Sequence, residues 1–334
     1  LGHNFIPNDT ETSSSIRIDY RPASAGIEDK VKRSRFIDGE LSYYHVSVKL
    51  ERELSLVNEA EAGSYAFIPY SEESLHAEVK EAGSVLLATD DRDRATGLGY
   101  VGRQWYGETI TLHIRPGQWE VGDLLLSALE PRAQTQELST LVDMPYRERL
   151  AFFLERGYRP ESSLYEMAAD LDRRRPLRHL PAGCIICTLK MDEEEALVQL
   201  ANTAYAGERL RPGILAQWRA QDPNFSTDWV QVARCDGQLV ATVVARSDRE
   251  YNEHFHSNRG YLGPAATLPS YRGKGLGEAL TARAMNFLRE RGMRAVCLHT
   301  WERNQPAVRL TSNLGFRVAH EWKILSKRLL DHTM

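Results

Sequence analysis

The sequence is short of cysteine, of lysine and of long apolar runs, and each shortage excludes something. Four cysteines in 334 residues do not make the disulfide framework of a small secreted scaffold. Cys184 and Cys187 form a C-x-x-C, but the run from Cys184 to Leu189 reads as a strand. Residues three apart on a strand face opposite ways, so the pair is expected as structural thiols rather than metal ligands. No apolar segment reaches the roughly 20 residues of a membrane-spanning helix. The net charge is −4, which leaves no basic excess for nucleic acid or an anionic membrane. Lysine supplies only 8 of the 42 basic residues, an imbalance that genomic base bias explains as well as function does. Residues 1–14 are polar and lack the apolar core of a secretory signal, so they are expected as a loose tail and the protein as cytoplasmic.

What is present fits a two-domain α/β protein. At 42% hydrophobic and 26% charged, the chain can bury a substantial core. Residues 28–60 are charged, poor in turn formers and helix-compatible. Ser84–Thr89, Thr96–Gln104, Thr109–Ile114 and Glu137–Met144 read as strands, and Trp119–Ala133 and Tyr146–Arg156 as helices. The basic, proline-broken stretch 173–182 reads as a linker. Beyond it the order repeats: strand Cys184–Leu189, helices Asp192–Ala206 and Pro212–Arg219, and a hairpin around Asp236-Gly237. A polar segment, Ser247–Arg259, precedes the strand Leu262–Leu268. The expected domains are residues 15–172 and 183–334.

The most informative stretch is Pro269-Ser-Tyr-Arg-Gly-Lys-Gly-Leu-Gly-Glu-Ala-Leu280. It follows an apolar strand and leads into a helix with Leu276, Leu280, Phe287 and Leu288 at helical spacing. Three glycines at alternate positions let the backbone approach a ligand, and the helix start offers unpaired N–H groups, an arrangement suited to a pyrophosphate. The two halves echo one another: Arg149–Tyr158 and Val308–Phe316 are both short helices ending in Gly-aromatic. This points to an internal duplication. The first copy carries Trp119-Glu-Val-Gly-Asp-Leu124 where the second has its glycine turn, and Glu120 and Asp123 would repel a phosphate.

Arg272-x-x-Gly275-x-Gly277 after a strand ending at Pro269, with Asn304 and Asn313-Leu-Gly-Phe316 about thirty residues on, resembles the GNAT superfamily of N-acetyltransferases. The tandem layout is similar to that of double-GNAT proteins, the mycothiol synthases among them. The resemblance implies two tandem α/β domains, each a mixed, mostly antiparallel sheet flanked by helices, with a splayed strand pair holding acetyl-coenzyme A in the C-terminal copy. It implies that the backbone of Ala265, Ala266 and Thr267 bonds the pantetheine arm. The turn of Arg272, Gly273, Lys274, Gly275, Leu276 and Gly277 would hold the pyrophosphate. Asn304 would lie near the pantetheine and Thr311 near the thioester sulfur. The expected reaction moves an acetyl group to a primary amine of a small molecule, in a monomer or homodimer with no metal, no nucleic acid and no membrane. The alternative is a non-catalytic acyl-coenzyme A sensor.

Such chemistry needs a base for the amine, a donor for the developing oxyanion and a proton for the leaving thiolate. Where many members of that family carry a tyrosine, this chain has Thr311, followed by Ser312. A threonine hydroxyl is a weak acid, so the proton donor is left among water, Ser312 and a residue from elsewhere. For the base, the polar segment offers Glu253, His254 and His256, directly before the cofactor strand. A solvated loop is the plain reading of the same residues. Gly97-Leu-Gly-Tyr-Val-Gly102 matches a dinucleotide fingerprint, but a further strand follows it instead of a helix, which excludes that reading.

Overall fold

The computed structural model describes residues 17–22, 31–37, 40–45, 51–80, 82–90, 92–104 and 107–329. The chain divides into two compact units. The first runs to Glu161 and takes back Ile324 onward, and the second is Ser162–Lys323.

The first unit contains β1 (Arg17–Pro22), β2 (Val31–Ile37), β3 (Glu40–His45), α1 (Glu51–Glu61), α2 (Glu72–Lys80), β4 (Ala82–Thr89), β5 (Ala95–Gln104), β6 (Gly107–Ile114), α3 (Trp119–Leu129), β7 (Glu137–Asp143) and α4 (Arg147–Glu155). Strand order is β3-β2-β1-β4-β5-β6-β7, antiparallel up to the parallel β6–β7 pair. The helix-compatible reading of residues 28–60 needs correction. Phe36 stands opposite Leu41 and Ile37 opposite Glu40 in an antiparallel pair, and among the described residues of that range helix occupies Glu51–Glu61. The charge-rich composition of the range masked the strand pair. The glycines of the excluded dinucleotide motif lie in β5 and serve packing. A Cβ on Gly97 would come within 2.7 Å of Val121, and one on Gly99 within 2.8 Å of Leu129, so their absence lets α3 settle onto the sheet.

A buried polar network closes this unit. Glu61 accepts from Arg149 at 2.6 Å and lies 2.9 Å from His113 Nδ1, while Tyr100 donates to Glu78. Burial alone would raise the Glu61 pKa. The contacts with His113 and the Arg149 guanidinium outweigh it and hold the carboxyl at about 2.

The second unit contains the greater part of β8 (Arg159–Asp170), then β9 (Cys184–Thr188), α5 (Glu194–Tyr205), α6 (Ile214–Gln221), β10 (Val230–Cys235), β11 (Gln238–Ser247), α7 (Arg249–Phe255), β12 (Arg259–Thr267), α8 (Leu276–Glu290), β13 (Ala295–Trp301) and α9 (Gln305–Asn313). The last strand, β14 (Arg317–Arg328), passes from this unit into the first at Ile324. Strand order is β8-β13-β12-β11-β10-β9, with only β12–β13 parallel. Asp236 and Gly237 both take positive φ at the β10–β11 turn, as a tight hairpin requires. The aromatic run Trp218, Phe225 and Trp229 is buried and belongs to the core, with Trp229 edge-on to Phe287 of α8.

Two further expectations change here. Cys184 is not a free thiol: it faces Cys235 across β9–β10 in a disulfide, while Cys187 and Cys297 are free. The stretch 173–182 lies within the second unit. Arg175 is buried in it, exchanging backbone hydrogen bonds with the Asn286 side chain at 2.7 and 2.8 Å and donating to the Leu314 carbonyl at 3.1 Å. No helix among the described residues is long and apolar enough to cross a membrane.

The Glu61 network has a measurable consequence. Its folded pKa lies below the ordinary 4.5, so its contribution is full above pH 4.5 and is lost as pH falls toward 2. That shift corresponds to roughly 3 kcal/mol. Urea unfolding between pH 7 and pH 2.5 should show this loss in the wild type. Glu61→Gln should be less stable at pH 7 and show a shallower acid slope; an unchanged slope would mean that Glu61 titrates normally.

Candidate active site

The site is set by where β12 leaves β13. The two strands pair at Arg259/Ala295, Gly260/Val296 and Tyr261/Cys297, and no further. From Leu262 onward, β12 keeps only β11 as a neighbour, with a register shift between Val243 and Ala245. The Leu268 N–H bonds to the Val240 carbonyl. By the two-residue alternation of a strand, Ala266 also turns its backbone to β11, whereas Ala265 and Thr267 turn theirs into the gap. Both gap-facing carbonyls are held by side chains. The Tyr205 hydroxyl, at the end of α5, donates to Ala265 O at 2.9 Å, and Arg272 Nε donates to Thr267 O at 3.2 Å.

The glycine turn closes one end of the gap, and its three glycines do different things. Gly273 and Gly275 take φ of +75° and +82°. Gly277 gives clearance: a Cβ there would lie 3.2 Å from Leu310 of α9. Gly275 is the N-cap of α8 with no side-chain cap, and the Ala279 N–H makes the bond back to Gly275 O. The N–H groups of Leu276, Gly277 and Glu278 therefore have no acceptor within the helix, and its positive end faces outward. Three cations surround them. Arg272 also donates to Ala204 O at 2.7 Å, Lys274 sits 4.6 Å over the Tyr271 ring, and Arg178 Nη1 bonds Glu278 at 2.7 Å. Backbone donors with nearby cations fit a pyrophosphate.

A second cluster lies where the strands part. A Cβ on Gly260 would strike Leu288 of α8, so Gly260 faces α8 and its neighbours Arg259 and Tyr261 face the other way. On that side His299 of β13 stands opposite Glu166 of β8. His299 Nδ1 is 3.4 Å from the Tyr261 hydroxyl, and its Nε2 is 3.5 Å from Glu166 Oε2. The other Glu166 oxygen accepts from Arg259 at 2.9 Å. Arg259 in turn holds Asp248 at 2.7 Å and stacks on Tyr251 at 3.3 Å. The His299 side chain is 40% exposed while Glu166 is 4% exposed, so the imidazole is reachable and its carboxylate partner is not. Burial raises the Tyr261 pKa, which keeps its hydroxyl protonated.

Residues 194–316 match the Acetyltransferase (GNAT) family. The chain is similar to a mycothiol acetyltransferase of Thermobispora bispora, at 28% identity over 70% of this chain and 81% of that protein. A mycothiol acetyltransferase of Thermomonospora curvata is 29% identical over 44% of this chain and half of its own length. Among solved structures, a tandem GNAT protein from the clavulanic acid biosynthesis pathway superposes with TM-score 0.59 at 16% identity, covering 94% of this chain and 98% of that one. A GCN5-related N-acetyltransferase from Sphaerobacter thermophilus gives TM-score 0.62 at 19% identity over 83% and 91%. Residues 194–316 are a GNAT acetyltransferase domain.

With that domain the chain is an acyl-coenzyme A-dependent N-acyltransferase, and the residues singled out from its sequence fall into three groups. Arg272 to Gly277 form one turn, next to the gap-facing backbone of Ala265 and Thr267, whereas Ala266 is turned to β11. Asn304 is the N-cap of α9, accepting from Ala307 N at 3.4 Å. The Thr311 hydroxyl is buried and bonds back to the Ala307 and Val308 carbonyls at 2.9 and 3.0 Å, while Ser312 is exposed. The polar segment before β12 contains a helix, α7, rather than a loop alone. Glu253 pairs with Arg249 at 2.6 Å, and His254 and His256 are exposed. Among the described residues no third His, Cys, Asp or Glu joins them in a metal-binding cluster. Glu253 lines a groove with Asp222, Asn224, Trp229 and Arg291. That groove adjoins the start of β12, whereas the glycine turn follows its end, roughly 25 Å along the strand.

Reading the sequence missed His299, Tyr261, Glu166 and Arg178. The available signal was the alternation Cys297, His299, Trp301, which sets a histidine on one face of an otherwise apolar strand. Nothing local marks Glu166 or Arg178.

Gly275→Val should abolish acetyl-coenzyme A binding in calorimetric titration, because the side chain would need positive φ and would meet Arg178 within 2.9 Å. The wild type should bind one molecule per chain. Retained affinity in the variant would place the pyrophosphate elsewhere.

Proposed function

We propose that the second unit transfers an acetyl group from acetyl-coenzyme A to the primary amine of a small molecule by direct attack in a ternary complex. The observation that carries this reading is the exposed His299 imidazole at the parting of β12 and β13, backed by buried Glu166. Glu166 Oε2, 3.5 Å from Nε2, favours the tautomer with its proton there, which leaves Nδ1 as the proton acceptor. Arg259 holds Glu166 in register for that task. The amine loses its proton to Nδ1, directly or through the Tyr261 oxygen. The Tyr261 hydroxyl stays protonated and can donate to oxygen or sulfur as charge develops there.

Bound acetyl-coenzyme A supplies the thioester carbonyl. The gap-facing backbone of Ala265 and Thr267 orients its arm, and the turn from Arg272 to Gly277, joined by Arg178, takes the phosphates. Because Thr311 spends its hydroxyl on its own helix, the reading gives it a structural role. An exposed base with a buried carboxylate behind it favours catalysis over a sensor, since a binding module needs no such base. The first unit serves as a non-binding structural copy. Its α3 starts with Glu120 in the first turn, and Asp123 is engaged by Arg156 at 2.6 Å. The relatives named mycothiol acetyltransferases support acetyl transfer; at their identity the acceptor does not carry over with it.

The test is coenzyme A release with a panel of aminoglycosides, amino acids, polyamines and a cysteinyl sugar. His299→Asn should lower kcat/KM by about 10²- to 10⁴-fold and remove the acidic limb of its pH profile, with acetyl-coenzyme A affinity kept. Glu166→Gln should act in the same direction. A full-rate His299→Asn, or no release with any amine, would sink the proposal.

A further inference from the structure

Arg246 is half-buried and stands out because no carboxylate pairs with it. It lies on β11 opposite Tyr261, with its guanidinium carbon 5.2 Å from the ring centroid. Its Nε is buried without a hydrogen-bond partner, which is costly for a charged donor. The contrast with Arg259, on the same face of the neighbouring strand, is informative. Arg259 has two carboxylates, Glu166 and Asp248, at 2.9 and 2.7 Å. Asp248 acts on Arg246 only at longer range. Acids are therefore at hand and are committed to Arg259, while Arg246 is left without one.

A second cation converges on the same place. Arg209 follows α5, is exposed, and lies over the Tyr205 ring at 5.2 Å. Tyr205 is the residue whose hydroxyl reaches Ala265 O in the gap. The Arg209 charge acts on both Arg246 and Tyr261. Among the described residues neither Arg209 nor Arg246 has a carboxylate within salt-bridge reach. Two like charges beside one phenol, one of them desolvated, repel each other until an anion joins them. The phosphates of coenzyme A are not that anion, because the glycine turn lies past the far end of β12, about 20 Å along the strand from Tyr261.

We propose that Arg246 and Arg209 form an anion site beside Tyr261, and that the acceptor amine carries a carboxylate held there. This rests on the reading of His299 as the base. Tyr261 has Arg246 on its β11 side and His299 on its β13 side, so one small molecule can present its amine to the imidazole and its carboxylate to the arginines. The substrate class is then amino acids or amines bearing a nearby carboxylate, not polyamines or neutral amino sugars.

Matched acceptors test this: the common L-amino acids against their C-terminal amides, followed by coenzyme A release from the full chain. The best acid should show a KM at least tenfold below that of its amide. Arg209→Gln and Arg246→Gln should each raise the acid KM at least tenfold while shifting the amide KM by less than twofold, and Arg246→Lys should recover part of the loss. Arg209 is exposed, so its variant remains informative if Arg246→Gln does not fold. Equal KM values for acid and amide, with both variants silent, would overturn the anion site and leave acetyl transfer standing. If no amine in either series releases coenzyme A, acetyl transfer falls instead. Calorimetric titration of the same amino acids into the chain with coenzyme A then decides the anion site. Binding lost in Arg209→Gln supports it, and no binding to the wild type overturns it.

Discussion

Two strands that pair for three residues and then separate are the constraint on which this molecule depends. A sheet normally satisfies every backbone donor and acceptor in its interior. Here β12 keeps one neighbour and loses the other at Leu262, so an interior strand acquires an edge. An exposed edge is usually a liability. In this chain it is part of a site: its free groups lie between a glycine turn at one end and a histidine at the other. The turn, the gap and His299 are thus positioned by a single departure from regular pairing.

Both units bury charge, and they do so to different ends. In the first, Glu61, His113 and Arg149 satisfy one another inside the fold, and the proton affinity of Glu61 is a matter of stability. In the second, the chain of contacts runs outward, from Asp248 and Arg259 through Glu166 to an imidazole that solvent can reach. Buried ion pairs contribute little net stability because desolvation offsets attraction. What they supply is orientation. An Arg259 that fixes one oxygen of Glu166 leaves the other with a defined direction.

Local grammar was legible in the sequence and lateral neighbours were not. The α8 turn could be read because its glycines, its cap and its apolar spacing sit within about two turns of one another. The hairpin at Asp236-Gly237 and the match in element order between the halves were legible for the same reason. The β2–β3 pair was hidden because Lys32, Arg33 and Arg35 make a strand look like a charged helix. The α7 helix was hidden because it is short and mostly polar. His299 stood out only by the alternation within its strand. Its significance comes from the register that sets it opposite Glu166, and register between strands distant in sequence leaves no mark in either segment. The polar run before β12 drew attention to Glu253, His254 and His256 because polarity is visible locally, whereas placement across a sheet is not.

The route of the chain through β8 carries one more implication. The family likeness begins at residue 194, and the basic stretch before it looks like a seam between two genes' worth of protein. A cut at that seam would separate the second unit from β8, and with it from Glu166, which stands opposite His299. It would also discard Arg175, which ties the seam to α8 and to the end of α9. The strand that completes the second unit lies ahead of the basic stretch, so the boundary that composition suggests is not the boundary of the compact unit.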